Sequence, residues 1–111
     1  MMANFQIFKS STKNEYYYLL KATGNSQLIL SGEGFSSKQK CLDAIKYIRE
    51  KAADDDFYER TSSYLNYIFV VKSADGTVIG KGEHYTIESA RENSIEMIKS
   101  GSEKAVVQDF C

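Results

Sequence analysis

Gly32-Glu33-Gly34-Phe35-Ser36 and Gly82-Glu83-His84-Tyr85-Thr86 stand 50 positions apart in a chain of 111 residues. The same offset places Ala44-Ile45 on Ser94-Ile95 and Ile48 on Ile98. Upstream, Tyr18-Leu19-Leu20-Lys21 falls on Phe69-Val70-Val71-Lys72 at an offset of 51. The one-residue slip lies where Thr23-Gly24-Asn25-Ser26 faces Ala74-Asp75-Gly76, and turns absorb insertions at little cost. A repeat at fixed period governs the whole fold. The chain therefore reads as two units, about 1–56 and about 57–111, sharing one compact domain.

Outward from that stretch, each unit reads as strands followed by a helix. Phe5 to Lys9, Tyr16 to Ala22 and Gln27 to Leu30 are short aromatic and aliphatic runs, the last two flanking Gly24-Asn25. Asn66 to Lys72 and Thr77 to Gly80 flank Asp75-Gly76, a strong hairpin signal because the turn needs residues that tolerate positive φ. Ser36 or Ser37 caps a first helix, whose Cys41, Ala44, Ile45, Ile48 and Ala52 recur at helical spacing. Thr86 caps a second, with Ile87, Ala90, Ile95 and Ile98 as its stripe and Gly101 as its stop. Further strands follow at Phe57 to Thr61 and Ala105 to Gln108. The expected fold is α+β: two tandem β-β-β-α-β units forming one mainly antiparallel sheet with both helices on one face.

The order and duplication of these residues resemble the YegP family. They are Tyr18, Leu20, Lys21, Ala22, Gly24, Asn25, Ile29, Gly32, Glu33, Phe35, Ser36 and Ile45 in the first unit. The second supplies Phe69, Val71, Lys72, Asp75, Gly76, Ile79, Glu83, Tyr85, Thr86 and Ile95. The resemblance runs from about Phe5 to Asp109. It implies small bacterial proteins whose units merge into one sheet and exchange their C-terminal strands. Phe57 to Thr61 would then join the second unit and Ala105 to Gln108 the first. It implies no biochemical activity and transfers no catalytic residue. The first turn, Thr23-Gly24-Asn25-Ser26, departs from the Asn-Gly common in that family.

Composition narrows the function classes. The apolar fraction is 42% and the charged fraction 26%, with no Pro, no Trp and a net charge of -1. No apolar run reaches the roughly 20 residues of a membrane-spanning helix. Met1 to Lys9 lacks the apolar stretch of a signal peptide. Two Cys do not make a disulfide framework, so a reducing cytoplasm is the expected location. Neither half carries the basic excess that drives phosphate binding, and Lys38, Lys40, Lys46 and Arg49 read as a solvated helix face.

Catalytic and metal constellations are missing from the pattern. His84 is the single histidine, and its counterpart in the first unit is Gly34. Cys41, His84 and Cys111 lack the paired short spacings of a zinc site. Asp54-Asp55-Asp56 lacks the alternating ligands of a calcium loop and reads as a connector. No phosphate loop or dinucleotide fingerprint occurs, so no metal and no cofactor are expected. Gly32 and Gly82 read as bends or bulges at strand ends.

Aromatics are the surplus. Two helices cover one face of such a sheet and leave the other open. Tyr16, Tyr17 and Tyr18 are consecutive, so they point to both faces of a strand; Tyr64, Tyr67 and Phe69 supply the second unit. The candidate ligand-binding residues are Tyr16, Tyr17, Tyr18, Tyr67, Glu33, Glu83 and His84. The leading reading is a non-enzymatic cytoplasmic module, binding or structural, that offers an aromatic sheet face to a protein or peptide. A weak single-stranded nucleic-acid binder is the alternative. A small enzyme using Glu33 and Glu83 about a pseudo-two-fold axis is the third. One chain already holds both units, so a monomer is expected.

Overall fold

A computed structural model describes residues 3–111 of the chain; Met1 and Met2 lie outside the described residues. Among the described residues, seven strands form one sheet in the order β4-β5-β6-β3-β2-β1-β7. The strands are β1 (Ala3–Lys9), β2 (Tyr16–Ala22), β3 (Leu28–Phe35), β4 (Tyr58–Ser63), β5 (Asn66–Lys72), β6 (Val78–Lys81) and β7 (Val106–Asp109). Helix α1 (Lys38–Lys51) lies between β3 and β4, and α2 (Glu88–Gly101) between β6 and β7. Every neighbouring pair is antiparallel except β1 with β7. This is the expected α+β fold. β4 both closes the first run of elements and opens the second, so seven strands suffice.

Strand exchange sets the outline. β4 follows α1 but pairs with β5, from Tyr58 opposite Val71 to Ser63 opposite Asn66. β7 follows α2 but returns to the far edge, where Phe5 faces Val107 and Ile7 faces Asp109. Each half is thus completed by a strand whose chain comes from the other. The arrangement offsets the weakness of a core of some 50 residues standing alone.

Alternation explains the core. Ala3, Phe5 and Ile7 of β1, Tyr18, Leu20 and Ala22 of β2, and Phe69 and Val71 of β5 are buried. Both helices cover this side: Cys41, Ala44, Ile45 and Ile48 come down from α1, and Ile95 and Ile98 from α2. Phe5 meets Tyr18 edge-on at 5.9 Å, and Tyr58 meets Phe69 edge-on at 6.1 Å in the corresponding place of the other half. Such pairs add about 0.5–1.5 kcal/mol each beyond their area.

Several local expectations are corrected. Ser37 caps α1 by accepting from the Lys40 N–H at 3.2 Å. Thr86 does not cap α2; Ile87 holds that position with no side-chain bond, and it is exposed rather than part of the stripe. Arg91 takes the buried place instead, at the position matching Cys41. Gly101 is a helical residue; Ser102, itself right-handed, follows it. Gly32 borders the β3 bulge, whose left-handed residue is Gly34 at φ 79°, and Gly82 follows the end of β6. A Cβ on Gly32 would enter the Tyr18 ring, and one on Gly82 the Phe69 ring. These two glycines make room for aromatic faces.

Candidate functional site

Tyr17 lies on the side of β2 opposite its buried neighbours, on the face that neither helix covers. There its ring stacks on Phe8 of β1, with centroids 5.2 Å apart and planes 17° from parallel. Phe8 stacks in turn on Phe110, at 5.3 Å and 12°. Three rings therefore run in a row across β2, β1 and the end of β7, and Phe110 keeps 54% of its surface exposed. Cross-strand register builds the row: Phe8 stands opposite Tyr17, and the Phe110 N–H donates to the Ile7 carbonyl at 2.9 Å.

A cleft of about 410 Å³ opens beside Tyr17, between the β1–β2 loop and the end of β3. The loop closes on itself through the Ser10 N–H and Glu15 carbonyl, 2.9 Å apart. The far wall is a bulge: Tyr16 pairs with Phe35 and Tyr18 with Gly32, so Glu33 and Gly34 together oppose Tyr17. Gly34 adopts the positive φ that this bulge needs. The bulge brings Glu33 to the cleft with Lys13 and Glu15, beside Tyr16 and Tyr17.

The remaining expected site residues lie elsewhere. Tyr18 is fully buried, so it is no part of an open face; its hydroxyl donates to the Ile79 carbonyl at 2.8 Å. Its phenol is held well above the ordinary range by that burial. Tyr16 is the exception: it lines the cleft while packing at the margin of the core, with the Lys9 ammonium 5.9 Å from its ring. Tyr67 lies under the Arg91 guanidinium at 5.5 Å, on the helix side. Tyr64 sits at the tip of the β4–β5 turn, 90% exposed. His84 meets Asn66 through Nδ1 at 3.1 Å.

Glu33 and Glu83 are not brought together. Ser31 faces Lys81 across the antiparallel β3–β6 junction, so the two carboxylates leave that pair in opposite directions. Four residues of strand put them about 13 Å apart along the junction. That is too far for one to hold water or substrate against the other. Among the described residues no group of three or more His, Cys, Asp or Glu is placed to hold a metal ion.

Charge on the helix side is organised as a chain of pairs. Arg60 donates to Glu92 and to Asp55, Lys99 donates to Asp55 at 2.9 Å, and Arg91 donates to Glu92 at 2.8 Å. Lys99 and then Arg60 hold the Asp55 carboxyl down at about 2. These pairs fasten α2 to β4. In the other half Lys38 pairs with Asp109, and the Arg49 guanidinium donates to the Ala105 carbonyl, which fastens α1 to the β7 end.

Phe8 and Phe110 escaped the sequence reading. Phe8 was legible in principle, since it alternates with the inward Phe5 and Ile7. Phe110 was not, because its neighbour depends on a parallel register between chain ends that no local pattern carries.

A domain of unknown function, DUF1508, is matched over residues 11–59 and 66–109, most of the chain. The chain belongs to the DUF1508 family. A relative from Stutzerimonas stutzeri, the UPF0339 protein of the ptx operon 5′ region, is 32% identical over 96% of each chain. The UPF0339 protein YegP of Escherichia coli K12 is 31% identical over 95% of this chain and 94% of its own. The solution structure of E. coli YegP, a protein of unknown function, superposes with a TM-score of 0.90 at 29% identity, covering 99% and 94% of the two chains. A UPF0339 protein of Shewanella oneidensis has the same fold, with a TM-score of 0.89 at 24% identity and 98% and 92% coverage. DUF1508 membership thus carries the fold and a YegP-like kinship, and it names no reaction. No helix among the described residues is long and apolar enough to cross a membrane.

Proposed function

We propose that this chain is a non-enzymatic binding module, and that its open sheet face receives an extended segment of a protein or peptide. The observation that carries this reading is the stacked row Tyr17–Phe8–Phe110. Rigid aromatic rings give large contact area for little conformational entropy, which is why they dominate binding surfaces. Leu19 is half-buried on the same face beside the row, and Ile68 and Val70 lie on it farther off in β5, beyond Ser31 and Lys81. Glu33, beside Tyr17, supplies a carboxylate for a cationic side chain of the partner.

Duplication supports the same reading. Tyr17 corresponds to Ile68 at the offset of 51, so the fold repeats without the ring. An aromatic row present in one half only is not demanded by the repeated unit. The chain holds both units of its sheet, and we take it to act as a monomer in a reducing cytoplasm, where Cys41 and Cys111 stay free.

A random peptide library displayed on phage tests the proposal. Enriched peptides should shift the amide resonances of Phe8, Tyr17 and Leu19, and Tyr17→Ala should abolish enrichment. Turnover of a small molecule that is lost on changing His84 or Glu83 would overturn it. So would shifts at these residues with oligo-dT alone, since single strands also stack on aromatic rings.

A further inference from the structure

On the helix side, two clefts meet at Tyr47. One, of about 620 Å³, lies between α1 and the β5–β6 turn; its apolar floor is Phe35, Ala44, Tyr47 and Ile79. The other, of about 320 Å³, continues past Tyr47 and Phe57 along the α1–β4 connection. Tyr47 lines both and meets Phe57 of the second edge-on at 6.0 Å. Joined at Tyr47, they form a groove that runs beside α1 and reaches the sheet edge at Glu59 and Lys72.

The groove is acidic. Asp43, Asp75, Asp54, Asp56 and Glu59 line it, against Lys40, Lys51 and Lys72. Glu59 and Lys72 cancel each other at 2.9 Å, and the Lys51 ammonium sits 5.9 Å from the Tyr47 ring. Four aspartates then face two lysines. Asp75 is preset: the Ser73 hydroxyl and the Thr77 N–H donate to its Oδ1, which holds the carboxyl near 2 and keeps it charged.

Three of these side chains are not required by the repeat. The positions 50 residues on from Asp43, Tyr47 and Asp54 are Asn93, Met97 and Lys104. The second half builds a helix of the same length without those two carboxylates or the ring.

We infer that this groove is a docking site for a basic amphipathic peptide segment, with Lys or Arg side chains on the aspartates and an apolar side chain on Tyr47 and Phe35. Charge complementarity chooses that occupant: an acidic or neutral apolar segment would leave four carboxylates uncompensated beside a desolvated floor. Opposite potentials speed encounter and exclude wrong partners, and the aromatic floor supplies the anchor. Together with the open face, the groove would let one chain hold two partners.

Three synthetic peptides test this: one alternating Lys and Leu, one with Glu for Lys, and one with Ser for Leu. Only the first should bind, shifting the amides of Ala44, Tyr47 and Ala74, and more weakly as salt rises. The double variant Asp43→Lys/Asp56→Lys, both residues exposed, should weaken it at least about tenfold. Lys40→Glu should tighten it, a gain that misfolding cannot mimic. No binding, equal binding of the Glu peptide, or indifference to both variants would overturn the inference. Shifts confined to the Tyr17 face would overturn it too, while leaving the open-face reading standing.

Discussion

Ser31 of β3 stands directly opposite Lys81 of β6, and the two are 50 positions apart, the offset that relates the two halves of the sequence. A residue facing its own counterpart across an antiparallel junction marks a local two-fold axis. The axis therefore passes through the seam where the halves join. That seam is thin in backbone pairing, with this one pair in register. Side chains reinforce it: the Tyr18 ring lies over Gly32, and its hydroxyl reaches the Ile79 carbonyl.

Gly32→Ala and Gly82→Ala should each destabilise the protein by roughly 1–3 kcal/mol, the range for overpacking a filled core. The added methyl group would collide with the Tyr18 ring in one case and the Phe69 ring in the other. Urea midpoints measure the loss. Gly24→Ala is the comparison: its Cβ would meet open space, and only its positive φ of 93° is strained. A Gly32 variant as stable as the parent would mean the ring does not press on the seam.

Tyr18→Phe keeps the ring and removes the donor to Ile79, which should cost about 1 kcal/mol. It should also change the alkaline limb. The buried Tyr18 phenol keeps its proton in the folded chain well above the ordinary range, whereas the unfolded chain releases it near pH 10. Its contribution is complete below about pH 10 and is lost as pH rises toward the folded value, by up to about 1.4 kcal/mol per pH unit. Tyr58, buried and donating to the Ala52 carbonyl at 2.7 Å, has the same sign. The single variant should shed part of that slope, read from urea titrations across the alkaline range. An unchanged slope would place the titration elsewhere.

The fold was legible because its signals are local and doubled. Asp75-Gly76 and the Ser37 cap each act within a few residues, and Tyr18 and Phe69 mark the same strand position in the two units. The exchange of β4 and β7 became visible through family resemblance, since nothing local tells Val106 that it will lie beside Asn4. The site was half legible. Tyr17 was named, but so was Tyr18, because three consecutive tyrosines do not reveal which parity faces the helices. Glu33 reached the cleft through a bulge at Gly34, whereas the sequence reading placed the irregularity at Gly32. The acidic groove went unread because Asp43, Asp56 and Asp75 come from three separate elements.

Acid should loosen the α2–β4 side. The Asp55 carboxyl is held at about 2 by Lys99 and Arg60, against roughly 3.9 in the unfolded chain. A depressed value stabilises the fold above about pH 4, and the contribution fades as pH falls toward 2. Asp55→Asn should be less stable than the parent at neutral pH and should approach it in acid. Thermal midpoints over that range decide it; parallel curves would show that the exposed pairs contribute nothing measurable.

Phe110 should control the C-terminal edge. β7 has four pairs with β1, and Phe110 clamps it from the open face through Phe8 while Lys38 holds Asp109 from the helix face. Phe110→Ser should speed amide exchange in β7 selectively, leaving β2 and β5 protected, since edge segments open locally before the core does. Lys38→Ala should act in the same direction. Equal acceleration throughout the sheet would mean that β7 opens only with global unfolding.

The two cysteines should separate cleanly by reagent. Burial pushes the Cys41 thiol up to about 12, and its side chain is fully enclosed by the α1 face of the core. Cys111 is exposed, although partial desolvation and then the Asp109 carboxylate beside it raise its thiol above the ordinary range. Reactivity follows the thiolate and its access. One thiol per folded chain should therefore react with an aromatic disulfide reagent at mildly alkaline pH, faster as pH rises, and the second only once denaturant is added. Covalent dimers formed in air should vanish in Cys111→Ser and persist in Cys41→Ser. If both thiols of the folded chain reacted at one rate, Cys41 would be opening to solvent far more often than its packing beneath Tyr18 allows.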